Sequence, residues 1–184
     1  MNSHQRSKML MRIWWSFLVQ SKDKKMWIIR ISLDLEGENF SPKKLINELN
    51  DEIYVFRSNE PDDMNNRGLN EIYGFGSLAI LCPEIYGLQY EMTYYENWYL
   101  SFIDKNKKLF DRNGIAEMSL YIEIFHNEGQ LNFEIFSREL LKKIGQYEIS
   151  IPISYYNVTT ENIIEMLNET KISNEKLNEY IGFG

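Results

Sequence analysis

The chain has 184 residues, 43% of them hydrophobic, with twelve Tyr, ten Phe and four Trp, and a formal net charge of −7. So much apolar material excludes a disordered chain, and the length suits one globular domain with room for an appended terminal element. The single cysteine, Cys82, lies in an apolar run before Pro83; it excludes an intrachain disulfide, reads as a buried structural thiol, and points to a reducing, cytoplasmic setting.

Charge is distributed unevenly. Residues 1–30 hold seven Lys/Arg against Asp23 alone (+6), whereas residues 31–99 hold thirteen carboxylates against Lys43, Lys44, Arg57 and Arg67 (−9). An acidic folded surface attracts cationic partners and repels nucleic acid, so this split speaks to association.

At the N-terminus, Arg6, Lys8 and Arg12 precede the apolar stretch Ile13 to Val19. The stretch is too short to span a bilayer and lacks the small residues of a signal-peptide cleavage site, so no stable membrane insertion is expected. As a helix it places Leu10, Ile13, Trp14 and Phe17 on one face, for packing onto this chain, onto a second copy in a homodimer, or against a membrane surface. Residues 1–25 are read as a basic, aromatic extension, and residues 26–184 as a single α+β domain with a C-terminal helical tail.

From Trp27 to Leu35 runs a β-rich segment, followed by the turn Gly37-Glu38-Asn39-Phe40-Ser41-Pro42. Ser41 is placed to cap a helix with Pro42 at its first position, and Leu45, Ile46 and Leu49 mark the buried face of that helix. Ile53 to Phe56 reads as a short strand, and Ser58 to Asn70 as a loop rich in turn formers. Leu78 to Leu81, Tyr90 to Tyr95 and Trp98 to Phe102 read as strands, and Ile103 to Arg112 as a basic helix ended by Asn113-Gly114. Ser119 to Phe125 and Leu131 to Phe136 alternate as two strands of a hairpin. Ser137 caps a helix from Arg138 to Ile144 stopped by Gly145, Tyr147 to Tyr155 returns as a strand, and Thr159 or Thr160 caps a last helix to about Glu169. The sum is an α+β fold, a mixed, largely antiparallel sheet with helices packed mainly on one face. Leu120, Ile122, Ile124, Leu131, Phe133, Ile135, Leu141, Ile149 and Ile151 are the expected core of its C-terminal third.

The turn Gly37 to Leu45, the segment Phe133-Glu134-Ile135-Phe136-Ser137-Arg138-Glu139-Leu140-Leu141 and the segment Ile149-Ser150-Ile151-Pro152-Ile153-Ser154-Tyr155 resemble a bacterial family of unknown function labelled DUF forty-two seventy-nine. Coverage runs from about residue 26 to 156. After the first helix the family continues into a Pro-Thr and Gly-rich stretch, where this chain has Tyr54-Val55-Phe56-Arg57 and an acidic loop. The resemblance implies a fold class and a bacterial source, and it carries no catalytic residue.

His4 and His126 lie in no cluster with metal-ligand spacing, and His126 reads as solvated punctuation at a turn. Gly74-Phe75-Gly76 lacks the further glycine and Lys-Ser/Thr of a phosphate loop. The adjacent acids Asp51-Glu52 and Asp62-Asp63 lack both a third acid/base partner and the spaced oxygens of a cation loop. No catalytic residue, cofactor or metal is assigned. Asn70 to Gly76 matches Asn178 to Gly184 at five of seven positions, too little for a repeat.

Aromatics concentrate from Tyr86 to Tyr99, interleaved with Glu84, Glu91 and Glu96, and no Lys or Arg lies between Gly68 and Asp104. They suit half-buried sheet edges, and equally an interface whose acids select a basic partner. Nucleic-acid stacking would need interleaved basic residues, so nucleic acid is not an expected partner. The candidate partner-binding residues are Asp62, Asp63, Glu84, Tyr86, Tyr90, Glu91, Tyr94, Tyr95, Glu96 and Trp98. The expected function is a non-enzymatic bacterial immunity protein that captures a cognate basic, nuclease-type toxin. The alternatives are a small-ligand domain or enzyme, and a homodimeric structural protein.

Overall fold

The computed structural model describes residues 27–64, 71–83, 95–127 and 137–169. Its described elements are β1 (Trp27–Gly37), α1 (Pro42–Glu48), β2 (Tyr54–Asn59), β3 (Gly76–Leu81), α2 (Tyr95–Arg112), β4 (Glu117–His126), α3 (Arg138–Gln146), β5 (Ile153–Asn157) and α4 (Thr160–Glu169). The five strands form one sheet in the order β2-β3-β1-β4-β5. β3 runs antiparallel to both β1 and β2. The segment just before β5 runs parallel to β4, with Ser119 bridged to Ser150, Leu120 N–H donating to Ser150 O and Ile122 N–H to Pro152 O. The expected α+β class and its mixed, mostly antiparallel sheet are therefore present.

β1 explains the layering. Its alternation buries Ile29, Ile31, Leu33 and Leu35 on one face and leaves Arg30, Asp34 and Glu36 half-exposed on the other. α1 begins as expected, with Ser41 Oγ accepting the Lys44 N–H at 3.4 Å and Pro42 in the first turn. Two close approaches fix the turn before it. A Cβ on Gly37 would lie 2.1 Å from Gly114 O, and one on Gly76 would lie 1.9 Å from Phe40 O, so only glycine fits at either place.

α2 corrects the reading of residues 98–102 as a strand and of Ile103 as a helix start. Tyr95 to Arg112 is one helix, with Tyr99, Phe102, Ile103, Asn106, Phe110 and Asn113 buried at helical spacing. The two asparagines obscured that stripe because they are polar, yet each is hydrogen-bonded where it is buried. Asn106 donates to Asp51 and to Phe102 O, and Asn113 to Glu48 and to Leu109 O. With Lys105 on Asp51 and Arg112 on Glu48, these bonds tie the C-terminal side of α1 to α2. They hold the carboxyls of Asp51 and Glu48 below the usual carboxylate range, through Lys105 first for Asp51 and Asn113 first for Glu48.

In the C-terminal third, Leu120, Ile122, Ile124 and Ile149 are buried as expected, Ile151 is half-buried, and Leu131, Phe133 and Ile135 lie outside the described residues, as does the second hairpin strand. Leu141 is corrected: it is 50% exposed, and its neighbour Leu140 at 5% takes the core position with Ile144. Both residues are apolar, so periodicity alone could not rank them. Leu140→Ala should cost about 2 to 5 kcal/mol and Leu141→Ala no more than about 0.5 kcal/mol, as read from urea midpoints. Equal losses would refute the assignment. α3 also runs through Gly145 to Gln146, and the returning strand starts only at Ile153, because Tyr147 closes the helix and Glu148 turns with φ +55°.

By internal contacts the chain divides into two compact units. One spans 29–124 and 132–155 and holds α1, α2, α3, β2, β3 and most of β1, β4 and β5. In the other, drawn from residues up to 28, 125–131 and 156 onward, Phe125 stacks on Tyr156 with ring centroids 4.9 Å apart. Val158 N–H donates to His126 O, Asn127 to Thr160 Oγ1, and Thr159 caps α4 through the Asn162 N–H. His126 is the last residue of β4 and only 1% exposed, which corrects its reading as a solvated turn residue. The extension of residues 1–25 lies outside the described residues.

Candidate binding surface

The site is built on the segment linking β2 to β3. β2 is the edge strand, and its pairing with β3 shifts register between Val55 and Arg57, so Phe56 is an extra, bulged residue. The bulge brings Phe56 over the Arg30 guanidinium, 4.7 Å from the ring centroid, with Arg57 bonded to Asp34 at 3.1 Å and Arg30 to Glu123 at 2.6 Å. The first two contacts fasten an otherwise exposed strand to β1, and the third ties β1 to β4.

Burial dominates at Asp34 and raises its carboxyl above the usual range, partly offset by the Ser32 hydroxyl and Arg57. Glu36 is raised too, by burial first and then by the negative charges of Asp34 and Glu117. The folded state therefore holds protons that the unfolded chain releases. The penalty of ionising Asp34 is full above its raised folded value and vanishes below its ordinary value of 3.8. Asp34→Asn removes that penalty, so the stability of this variant relative to the parent should be more favourable at about pH 7 than at about pH 4. A difference that does not change with pH, in urea titrations at both values, would contradict this.

Beyond β2 the chain is held by Glu60, only 8% exposed, whose carboxylate accepts from Ser41 Oγ at 2.7 Å and from Lys43 N–H at 2.8 Å. It completes the N-terminal capping of α1 from a distant part of the chain. Glu60 N–H donates to Asp63 Oδ2, Tyr73 N–H to Asp63 O and Gly74 N–H to Pro61 O, while Met64 and Ile72 form an antiparallel bridge. The two arms of the loop are thus hydrogen-bonded to each other. On them sit Met64 at 54%, Ile72 at 59% and Phe75 at 37% exposure, with Tyr73 edge-on to Phe75. Asp62, Asp63 and Glu71 are exposed beside these apolar side chains. An apolar centre with an acidic border on these two arms matches the side-chain arrangement common at protein interfaces.

Of the residues selected from sequence, Asp62 and Asp63 fall on this surface, although Asp63 also holds the loop together. Trp98 is half-buried in α2, stacked on Phe102 at 5.0 Å and edge-on to Tyr99 at 4.9 Å. Tyr95 and Glu96 begin that helix, and Glu84, Tyr86, Tyr90, Glu91 and Tyr94 lie outside the described residues. Sequence reading passed over Met64, Ile72 and Phe75; the available signal was the presence of large apolar residues in a stretch otherwise made of turn formers.

Among the described residues, no group of three His, Cys, Asp or Glu side chains is disposed to hold a metal ion, and no helix is long and apolar enough to cross a membrane. No family model, curated protein or solved structure matches the chain.

Proposed function

We propose that this chain is a protein-binding domain of the immunity type, acting in the cytoplasm to capture and neutralise a basic, nuclease-type toxin. The observation that carries this reading is the pair of hydrogen-bonded arms that leave β2 and enter β3, where exposed Met64, Ile72 and Phe75 are bordered by Asp62, Asp63 and Glu71. Carboxylates around an apolar centre favour encounter with a cationic partner, and burial of the apolar centre then slows its release. The excess of acids from residue 31 to 99 extends the same field.

The test uses the full chain and a basic nuclease domain encoded beside its gene. Asp62→Lys with Glu71→Lys should lower the association rate by roughly tenfold or more at low salt, an effect that salt mimics in the parent. Met64→Ala with Ile72→Ala should chiefly speed dissociation. Full protection of toxin-expressing cells by the charge-reversed variant rejects this surface.

A further inference from the structure

The sheet ends at β2, and among the described residues no strand pairs its outer side. Val55, Phe56, Arg57 and Ser58 are all exposed there. An open edge is a template for another strand, and β2 carries no Pro or Lys to blunt it; its one charge, Arg57, is already paired with Asp34. The bulge gives this strand a symmetry that its residue order lacks. Val55 and Ser58 oppose Ile80 and Leu78, which in turn oppose the buried Leu33 and Leu35 of β1, so both lie on the core face. Phe56 over Arg30, Arg57 on Asp34 and Asn59 on Ser77 lie on the opposite face, and Tyr54, one residue before Val55, joins them. The order of faces along β2 is therefore the same from either end. Without the extra residue, Val55 and Ser58 would fall on opposite faces.

We infer that two copies of this chain pair β2 with β2, antiparallel about a twofold axis between Phe56 and Arg57. That register sets Tyr54 opposite Asn59, Val55 opposite Ser58 and Phe56 opposite Arg57 of the other copy, and each pair shares a face. Phe56 then meets a second guanidinium in the way it already meets Arg30. Moving the register by one residue sets Arg57 against its own counterpart in one direction, and Val55 against Arg57, on opposite faces, in the other. The bulge also selects a copy over an arbitrary strand. A regular strand leaves one of Phe56 and Arg57 unopposed, as β3 does, whereas a copy brings the same extra residue. The contact is isologous, so it closes at two copies and continues the sheet from one into the other. Six residues a side make it small, and the dimer forms and parts with concentration. It involves neither the arms beyond Glu60 nor any toxin.

The experiment is sedimentation of the purified full chain over a range of concentrations, beside three double variants at the exposed positions 55 and 58. The parent should rise from monomer to twice that mass and go no further. Val55→Lys with Ser58→Lys sets lysine against lysine at both ends of the contact, and Val55→Glu with Ser58→Glu sets acid against acid, so each should stay monomeric alone. Their equimolar mixture should dimerise, which also shows that both are folded. Val55→Lys with Ser58→Glu is self-complementary in this register and should dimerise unaided. Parent protein that is monomeric at every concentration overturns the inference, even where β2 takes up an unrelated extended segment. Dimers that survive in either like-charged variant overturn it too, because the contact then lies elsewhere in the chain, and so does a mixture that stays monomeric. Because none of these readouts involves the nuclease, their failure leaves the toxin test standing.

Discussion

Gly76→Ala is expected to lower stability by about 3 kcal/mol, because the added methyl would meet backbone and not a flexible side chain. Its Cβ would lie 1.9 Å from Phe40 O, 2.8 Å from Phe40 C and 3.0 Å from Pro42 Cδ. Relief requires moving either the start of β3 or the turn that sets the N-terminus of α1, and both are anchored: Gly76 pairs with Gly37 in the sheet, and Ser41 and Lys43 are bonded to Glu60. The segment entering β3 should loosen along with the core, since Gly76 is where it joins the sheet. Gly145→Ala is the contrasting substitution. That glycine lies inside α3 with no atom within 4 Å of a built Cβ, so alanine there should add about 0.5 to 1 kcal/mol. Urea midpoints moving in opposite directions for the two variants are the expected result, and an unperturbed Gly76→Ala protein would refute the close approach.

Tyr99→Phe should cost about 2 to 4 kcal/mol although it removes a single oxygen. The phenol donates to Ile31 O at 2.5 Å and accepts from Cys82 N–H at 3.1 Å, so one hydroxyl joins α2 to β1 and to the residue that follows β3. With the hydroxyl gone, a donor and an acceptor in the middle of the core both lose that partner. Burial pushes the phenol well above its usual range, so it stays protonated and able to donate at every pH where the protein is folded. Tyr99→Ala adds a cavity and should cost more than Tyr99→Phe. A phenylalanine variant melting with the parent protein would mean that the hydroxyl is dispensable.

Local chemistry was legible wherever the residues that decide an element are its own neighbours. Ser41 with Pro42, Ser137, and Thr159 each start a helix where a side-chain oxygen can take the N–H three residues on, a geometry that spacing alone specifies. β1 and β4 alternate because one face of each must be buried, and that too is written in their residue order. Asn113-Gly114 ends α2 for a comparable reason, with Gly114 at φ +76°.

What the sequence by itself determined, then, was the α+β class, the starts of α1, α3 and α4, the buried thiol of Cys82 and the uneven distribution of charge. Tertiary structure decided the rest, for a consistent physical reason: those positions take their character from partners remote in the chain. Asn106 and Asn113 are polar enough to break an apolar stripe on paper, and they are buried only because Asp51 and Glu48 reach them. Glu60 looks like one more loop carboxylate until the N-terminus of α1 is brought against it. Leu140 and Leu141 are indistinguishable until α3 is laid on the core, which needs one of them and leaves the other to solvent. The same holds for the candidate surface, whose apolar residues Met64, Ile72 and Phe75 lie on two stretches of chain brought together by the hydrogen bonds between the arms of the loop.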